Sequence, residues 1–590
     1  MAQHQEQGHW LDKYATNYAS WNLSTGPNSE QTFQRPLGLV ETSFDSDGTY
    51  YGGRADMTAL FTLAIQHKLS AEDLRHRIAL AWTSLRLQHP LLLAHVHDDP
   101  ETGTRGFAVD IPSSEDAATK DVEENIIWIE DIYDEVDDTE IYHHAYNVTR
   151  IIEPRKCLSK LHVLPIKRLP DGTFSLRLLI VIAHQISDAL SAYNWFSHFT
   201  RILNQPQHEM LASIKAARKA EAMRAILPAA QEDLYPAISG NRARQRWFWA
   251  LIRVLRHVKK GLPPTFTNPL RREKRLEKPI ELSAKFDRIF DYSEETRPPM
   301  SCGHVSAVLS ASASARLIAL CRSTKVSIGA GCFALAGLAM MAIHESLYPL
   351  SPHPPFTASF PLNPRAFFTN PPPADSCMLA FSEGIVMPFL PSHLPVQSRF
   401  RLVAMHANRE LRVYQKRLKG SNGSSSSSSS SGGGRSATPP AILDRYSPGR
   451  LLATGYVAQI ERVEAKLPKH RRSSPSREPA NPQGDLAPST AGYGATCGVS
   501  SIGPLAAFFK RGTYDVHNLP ADSDFAADFR QVKLGVRARD EEFLVGSSTS
   551  AEGIVEFGVS YDLNAISEEK AELWKRTVEG LLEGRGEAKL

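Results

Sequence analysis

Cysteine is scarce: six in 590 residues, at 157, 302, 321, 332, 377 and 497, with no CxxC pair and no His-Cys cluster. So few thiols cannot frame a disulfide scaffold, and they lack the ligand spacing of a structural zinc site. They read as small buried residues in a reducing compartment. Net charge is nearly absent too. The 67 Lys and Arg stand against 64 Asp and Glu, a balance of +3, which argues against a protein that coats nucleic acid. The start, MAQHQEQGHW, has no apolar h-region, so secretion is not expected and the N-x-S/T sequons at Asn22, Asn147 and Asn422 carry no weight. Long hydrophobic runs are missing. The best candidate span, 326–343, is uncharged from 326 on but rich in Ala and Gly, and it reads as a buried helix, so no transmembrane segment is expected. No P-loop and no G-x-G-x-x-G in a suitable context occurs, which disfavours nucleotide hydrolysis and nicotinamide chemistry.

What is present is ordinary globular composition, 42% apolar and 22% charged, in a chain long enough for two lobes. Charge is unevenly spread. Residues 115–140 hold twelve acids and one Lys, and residues 241–280 hold twelve Lys or Arg and two Glu. Each stretch reads first as a solvated face. Within the basic stretch, 246–260 (RWFWALIRVLRHVKK) predicts an amphipathic helix with Trp247, Leu251, Val254 and Val258 on one side. Packing as a lid or inter-lobe helix is expected of it ahead of a membrane-surface role.

Ser70 can cap a helix in which Leu74, Ile78, Ala81, Trp82 and Leu85 recur at helical spacing, ending at His89-Pro90. Residues 91–96 and 173–183 read as strands, the second so continuously apolar that burial on both faces is expected. A strand at 553–561 and a helix at 567–582 close the chain. Strands and helices alternate in both halves, which predicts an α/β protein. The expected division is an N-terminal lobe at 1–200, a helical and basic connecting segment at 201–300, and a C-terminal lobe at 301–590. The Ser-rich run 420–434 and the Pro-rich stretch 466–489 predict disordered insertions near 420–440 and 466–489.

One short motif carries chemistry. His184 ends the apolar strand, and Asp188 follows four residues later, where Ala189 begins a helix. Such a corner can aim an imidazole into a cleft while the carboxylate turns back to fix the backbone. The pattern alone leaves structural and functional readings equally open.

The segment IVIAHQISDALSAYNWF, 180–196, resembles the H-x-x-x-D-G region of acyl-CoA-dependent acyltransferases with the chloramphenicol-acetyltransferase-like fold. Their superfamily includes plant acyltransferases and the condensation domains of peptide synthetases. RPLGLVE (35–41), LRLQHPLLLAHV (85–96), KVSIGAGCFALAG (325–337), FPLNPRAF (360–367) and VSSIGPL (499–505) agree in order. The chain looks similar to fungal trichothecene O-acetyltransferases and to related acyltransferases of secondary-metabolite and glycolipid pathways, the mannosylerythritol-lipid enzymes of the peroxisome among them. Two departures stand out. Ala189 replaces the motif's Gly, and the plant Asp-Phe-Gly-Trp-Gly motif has no counterpart more specific than Asn363-Pro364-Arg365.

The resemblance implies two chloramphenicol-acetyltransferase-like lobes, each a mixed sheet with helices, and an active site in the tunnel between them. His184 would be the general base, its imidazole neutral near cellular pH without a large pKa shift. Asp188 would be structural, paired with an Arg for which Arg365 is the candidate. Ser500 or Ser501 would support the oxyanion, and Asn363 and Arg365 would bind substrate. GVSSIG (498–503) misses the G-x-S-x-G elbow by one residue, which disfavours a serine hydrolase. The expected partners are acyl-CoA as co-substrate and a hydroxyl-bearing small molecule, with no bound cofactor, metal or nucleic acid, in a monomer. Basic residues in 242–278 could meet coenzyme A phosphates. Ala588-Lys589-Leu590 resembles the tripeptide read by the peroxisomal import receptor, so the location is peroxisome or cytoplasm. Acetylation of a terpenoid alcohol and a catalytically inactive binding protein of the same fold are the alternatives.

Overall fold

The strand Phe174–Ile182 (FSLRLLIVI) is flanked on both edges, by Met57–His67 and by Ser159–Val163, each antiparallel to it. In this computed structural model the described residues are 10–27, 29–99, 104–258, 263–350, 353–368, 370–382, 384–422, 448–469, 495–521 and 523–583, with a few isolated positions between 472 and 489. The first sheet runs Phe525–Val536, Met57–His67, Phe174–Ile182, Ser159–Val163, Ile127–Trp128, the last pair parallel and the rest antiparallel. Leu176, Leu178 and Ile180 point to one face, where they join Phe196 and Phe199 of helix Ala189–Leu203. Leu179 points to the other face and joins Tyr142 and Tyr146 of helix Asp138–Asn147. Burial on both faces explains why this strand lacks alternation.

The second sheet runs Cys302–Val308, Val555–Asp562, Phe543–Thr549, Cys497–Pro504, Phe356–Ser359, Ile385–Met387, again with parallel and antiparallel pairs. Its core helix is Ile328–Leu347. By length and composition that helix could cross a bilayer, but 83% of its most apolar window is buried inside the protein. Trp574 of helix Glu568–Gly580 is wholly buried in the same core. All six cysteines are buried and unpaired.

Ser70 caps helix Ala71–Gln88 by accepting from the Asp73 N–H at 3.1 Å, a contact worth about 1 kcal/mol. The expected strand at 91–96 begins later, at His95–Asp98. Pro90 starts a 3-10 turn instead, in which the Leu92 and Leu93 N–H groups bond back to His89 and Pro90. The predicted helix at 246–260 is longer at its start, Arg242–Val258, because the Asn241 side chain accepts from the Arg244 N–H at 3.0 Å. The strand Phe525–Val536 lies in the first sheet, so the expected C-terminal lobe, 301–590, lends one strand to its neighbour. The Ser-rich run from 423 on, most of the Pro-rich stretch 466–489, and Ala588-Lys589-Leu590 lie outside the described residues.

Candidate active site

The chain leaves the first sheet at Ile182 and turns sharply before helix Ala189–Leu203. Ile186 N–H bonds to Ala183 O at 3.1 Å and Ser187 N–H to His184 O at 3.3 Å, which fixes the corner. His184 is the one partly exposed residue of 181–188. Its ring stacks on Phe44 of helix Leu39–Tyr50, with centroids 3.9 Å apart and planes 5° from parallel. On its edge, Nδ1 lies 3.8 Å from the Cys377 thiol.

Asp188 is the N-cap of the following helix. Its Oδ1 accepts from Ser191 N–H at 2.9 Å, and its backbone N–H donates to Ser191 Oγ at 2.8 Å. Its Oδ2 accepts from the Met378 N–H at 3.1 Å and from Arg365 Nη1 at 2.9 Å. The Arg partner expected for Asp188 is therefore Arg365. Asn363 is exposed, and its Oδ1 accepts from Arg365 N–H at 3.1 Å and from the Arg365 guanidinium at 3.3 Å. Arg365 Nη2 donates to Ser376 O at 2.6 Å. Arg365 is buried, and these bonds fix the protein's own loop.

Behind Phe44 sits a charged cluster that sequence reading missed. Asp47 pairs with Lys466, the last residue of helix Pro448–Lys466, and with Arg539 at 3.1 Å. Both cations also face the Phe44 ring, at 5.7 and 5.6 Å from its centroid. Burial pulls the Lys466 ammonium down to about 8, against the pull of Asp47. Burial, helped by the Arg539 charge, lowers His184 to about 4. An imidazole expected to need no large shift is thus strongly shifted, because stacking on Phe44 removes water from one ring face. The consequence is a base that is neutral throughout the physiological range. Burial and the neighbouring Asp188 charge push the Cys377 thiol up, so it is not a thiolate nucleophile.

Ser500 and Ser501 lie on strand Cys497–Pro504 of the second sheet. Ser500 O accepts from Ser547 Oγ at 3.2 Å, and Ser501 is exposed beside Gly329 at the start of the 328–347 helix. Among the described residues no hydrogen bond joins either serine to His184. Two clefts, one along Leu505, Phe509, Gln531 and Glu556 between the lobes and one beside Tyr14 and Trp247, are not lined by His184. Of the basic segment, Arg256, Arg271 and Arg275 pair internally with Glu461, Glu541 and Asp562.

No protein-family model matches the chain, and no curated protein matches it. Solved structures do. A trichothecene 15-O-acetyltransferase from Fusarium sporotrichioides is similar over 96% of this chain and 98% of its own, with a TM-score of 0.60 at 12% identity. The epimerization domain from the third module of tyrocidine synthetase B is similar over 93% of this chain and 96% of its own, with a TM-score of 0.50 at 10% identity. The likeness is one of fold. The chain has the two-lobed α/β architecture of these proteins.

No sequence signal points to Phe44, Cys377, Lys466 or Arg539. They come from four separate stretches of chain, and only the fold brings them to one imidazole.

Proposed function

We propose that the protein is an O-acyltransferase that moves an acyl group from acyl-CoA to a hydroxyl of a small molecule. The observation that carries this reading is His184: a neutral imidazole at a strand end, stacked on Phe44, whose corner is locked by the Asp188–Arg365 pair. In the reaction, His184 takes the proton of the acceptor hydroxyl as its oxygen attacks the thioester carbonyl carbon. The C–O bond forms, the tetrahedral intermediate collapses, the C–S bond breaks, and the leaving thiolate takes the proton from the imidazolium. No acyl-enzyme forms. A positioned base of this kind contributes about 10²–10⁴-fold, and holding two substrates together can add about 7–11 kcal/mol at best. Ser500 or Ser501 would donate to the oxyanion once the substrates bridge the lobes.

The finer reading is a medium-chain acyl-CoA donor and a sugar hydroxyl of a glycolipid of the mannosylerythritol-lipid kind, in the peroxisome. It rests on the resemblance of the sequence and on the terminal Ala588-Lys589-Leu590. Acetylation of a terpenoid alcohol is the second reading, favoured by the activity in the name of the Fusarium protein. Purified protein is incubated with acyl-CoAs from acetyl to palmitoyl and with glycolipid or terpenoid acceptors, following free thiol and product mass. Transfer of chains longer than acetyl to glycolipid supports the first reading, and transfer of acetyl alone the second. No thiol release with any pair would overturn the acyltransferase reading.

A further inference from the structure

His89 closes helix Ala71–Gln88, its N–H bonding Leu85 O at 2.9 Å, and its side chain is buried. A buried imidazole needs partners at both ring nitrogens. Here Nε2 lies 2.7 Å from Nδ1 of His198, and Nδ1 faces Asp375 Oδ1 at 3.1 Å. The other nitrogen of His198, Nε2, meets the exposed Arg201 guanidinium.

An arginine can only donate, so this chain has one direction. Nε2 of His198 carries no proton. Burial, helped by His89, lowers His198 to about 4, so its ring is neutral with the proton on Nδ1. That proton points at Nε2 of His89 and leaves His89 to present its Nδ1–H to Asp375. Burial raises the Asp375 carboxyl, but His89 and Asn194 outweigh it and hold it below the usual range.

Asp375 begins a loop that ends at the His184 corner. Asn194 Nδ2, on helix Ala189–Leu203, donates to Asp375 Oδ1 at 2.9 Å and to Ala374 O at 3.2 Å. The next three residues all meet the corner. Ser376 O accepts from Arg365, Cys377 Sγ lies 3.8 Å from His184 Nδ1, and the Met378 N–H donates to Asp188. Cys377 also packs in one small cluster with Phe44, whose ring covers a face of the imidazole. His184 meets its own carbonyl oxygen, which only Nδ1 can reach, so the neutral ring keeps its proton there and presents Nε2 as the base.

We propose that His89 is a positioning residue for His184, acting through Asp375 to hold the 375–378 loop against the Nδ1 edge of the imidazole. An apolar side chain could fill the space beside Trp195, whose ring centroid is 6.0 Å away, but could not fix the direction of a carboxylate. Burying two imidazoles and a carboxylate costs more than burying a leucine, and a satisfied polar chain yields a single loop geometry. The consequence for rate rests on the acyltransferase reading; the state of the imidazole does not.

The test follows the ring nitrogens of His184 by NMR in the full chain, together with thiol release from acyl-CoA. In the wild type His184 is expected as one tautomer, protonated on Nδ1. In His89→Leu and in Asp375→Ala, water reaches that edge, so a second tautomer should appear and turnover should fall by about 10- to 100-fold. His89→Gln can accept from His198 and donate to Asp375, and should recover most of both. The double variant should be no worse than the more affected single one, because both substitutions break one contact. Unchanged melting establishes that the variants are folded, and if His89→Leu is not, Asp375→Ala and His89→Gln decide. A single unchanged tautomer in the folded single variants, or losses that add in the double variant, overturns the proposal. A wild type that releases no thiol overturns the acyltransferase reading instead, and the tautomer signals still decide the role of His89.

Discussion

Arg365 and Asp188 lie 2.9 Å apart, both buried, and the pair ties the loop after the second sheet's Phe356–Ser359 strand to the His184 corner. Removing one partner of a buried pair strands the other charge in the interior, at a cost of about 3–5 kcal/mol. Arg365→Ala should therefore lower unfolding stability by about that amount in denaturant titration. Arg365→Lys keeps the charge but loses the bond to Ser376 O, and should fall between. A cost below about 1 kcal/mol for Arg365→Ala would mean that the pair does not lock the corner.

His184→Ala tests the chemistry. If His184 is the base, thiol release from acyl-CoA should drop by about 10²–10⁴-fold. The secondary-structure content by circular dichroism should not change. Equal turnover in the variant would move the proton transfer to another group.

Acid should unfold the protein before its carboxylates are protonated. Burial lowers His184 and His162 to about 4 and His304 to about 3, all from 6.5. Below 6.5 the unfolded chain takes up protons on these imidazoles while the folded chain does not. Stability contributed by the neutral rings is thus complete above 6.5 and is lost progressively as pH falls toward 4. Denaturant midpoints should be level near neutrality and fall steadily from pH 6.5 downward. A midpoint that stays level down to about pH 4.5 would contradict the burial of these rings.

Arg539 acts on His184 through Phe44. Arg539→Met removes the cation that disfavours imidazolium, so the His184 pKa should rise from about 4. The acid limb of the rate profile should move to higher pH, with a smaller effect on the plateau. The His184 imidazole resonance followed by NMR reads the same shift directly. A pKa that stays put would leave Phe44 and burial as the whole cause.

Much of this fold was legible because its signals are local. Ser70 and the spacing of Leu74, Ile78 and Leu85 announce a helix, and the unbroken run 174–182 announces a strand buried on both sides. The corner His184–Asp188 was legible because strand end, motif and helix start coincide within six residues. Asp188's partner was visible as a candidate, since Arg365 sits in the one conspicuous Asn-Pro-Arg turn. Phe44 was not, because helix Leu39–Tyr50 is polar on paper: Glu41, Asp45 and Asp47 are all buried in ion pairs, those of Asp45 and Asp47 to the distant Arg105 and Lys466. Nothing in LVETSFDSDGTY reveals that these acids face inward. Which face of helix Arg242–Val258 turns inward was not legible for a related reason. Both of its faces are apolar, and only Tyr14, Tyr456 and Glu461 decide which one turns in.

The strand Phe525–Val536 pairs along its length with Met57–His67, joining two stretches far apart in the chain. Until residue 536 has been made, the 57–67 strand has a bare row of amides and carbonyls on an otherwise finished, strongly apolar sheet. A nascent first lobe is in that condition for most of synthesis, and a fragment ending near residue 300 would be in it permanently. Such an edge is a template for pairing with other chains. The first lobe is thus not a module that can be borrowed by itself, and its closure couples folding to translation of the whole polypeptide, with slow, long-range assembly as the result.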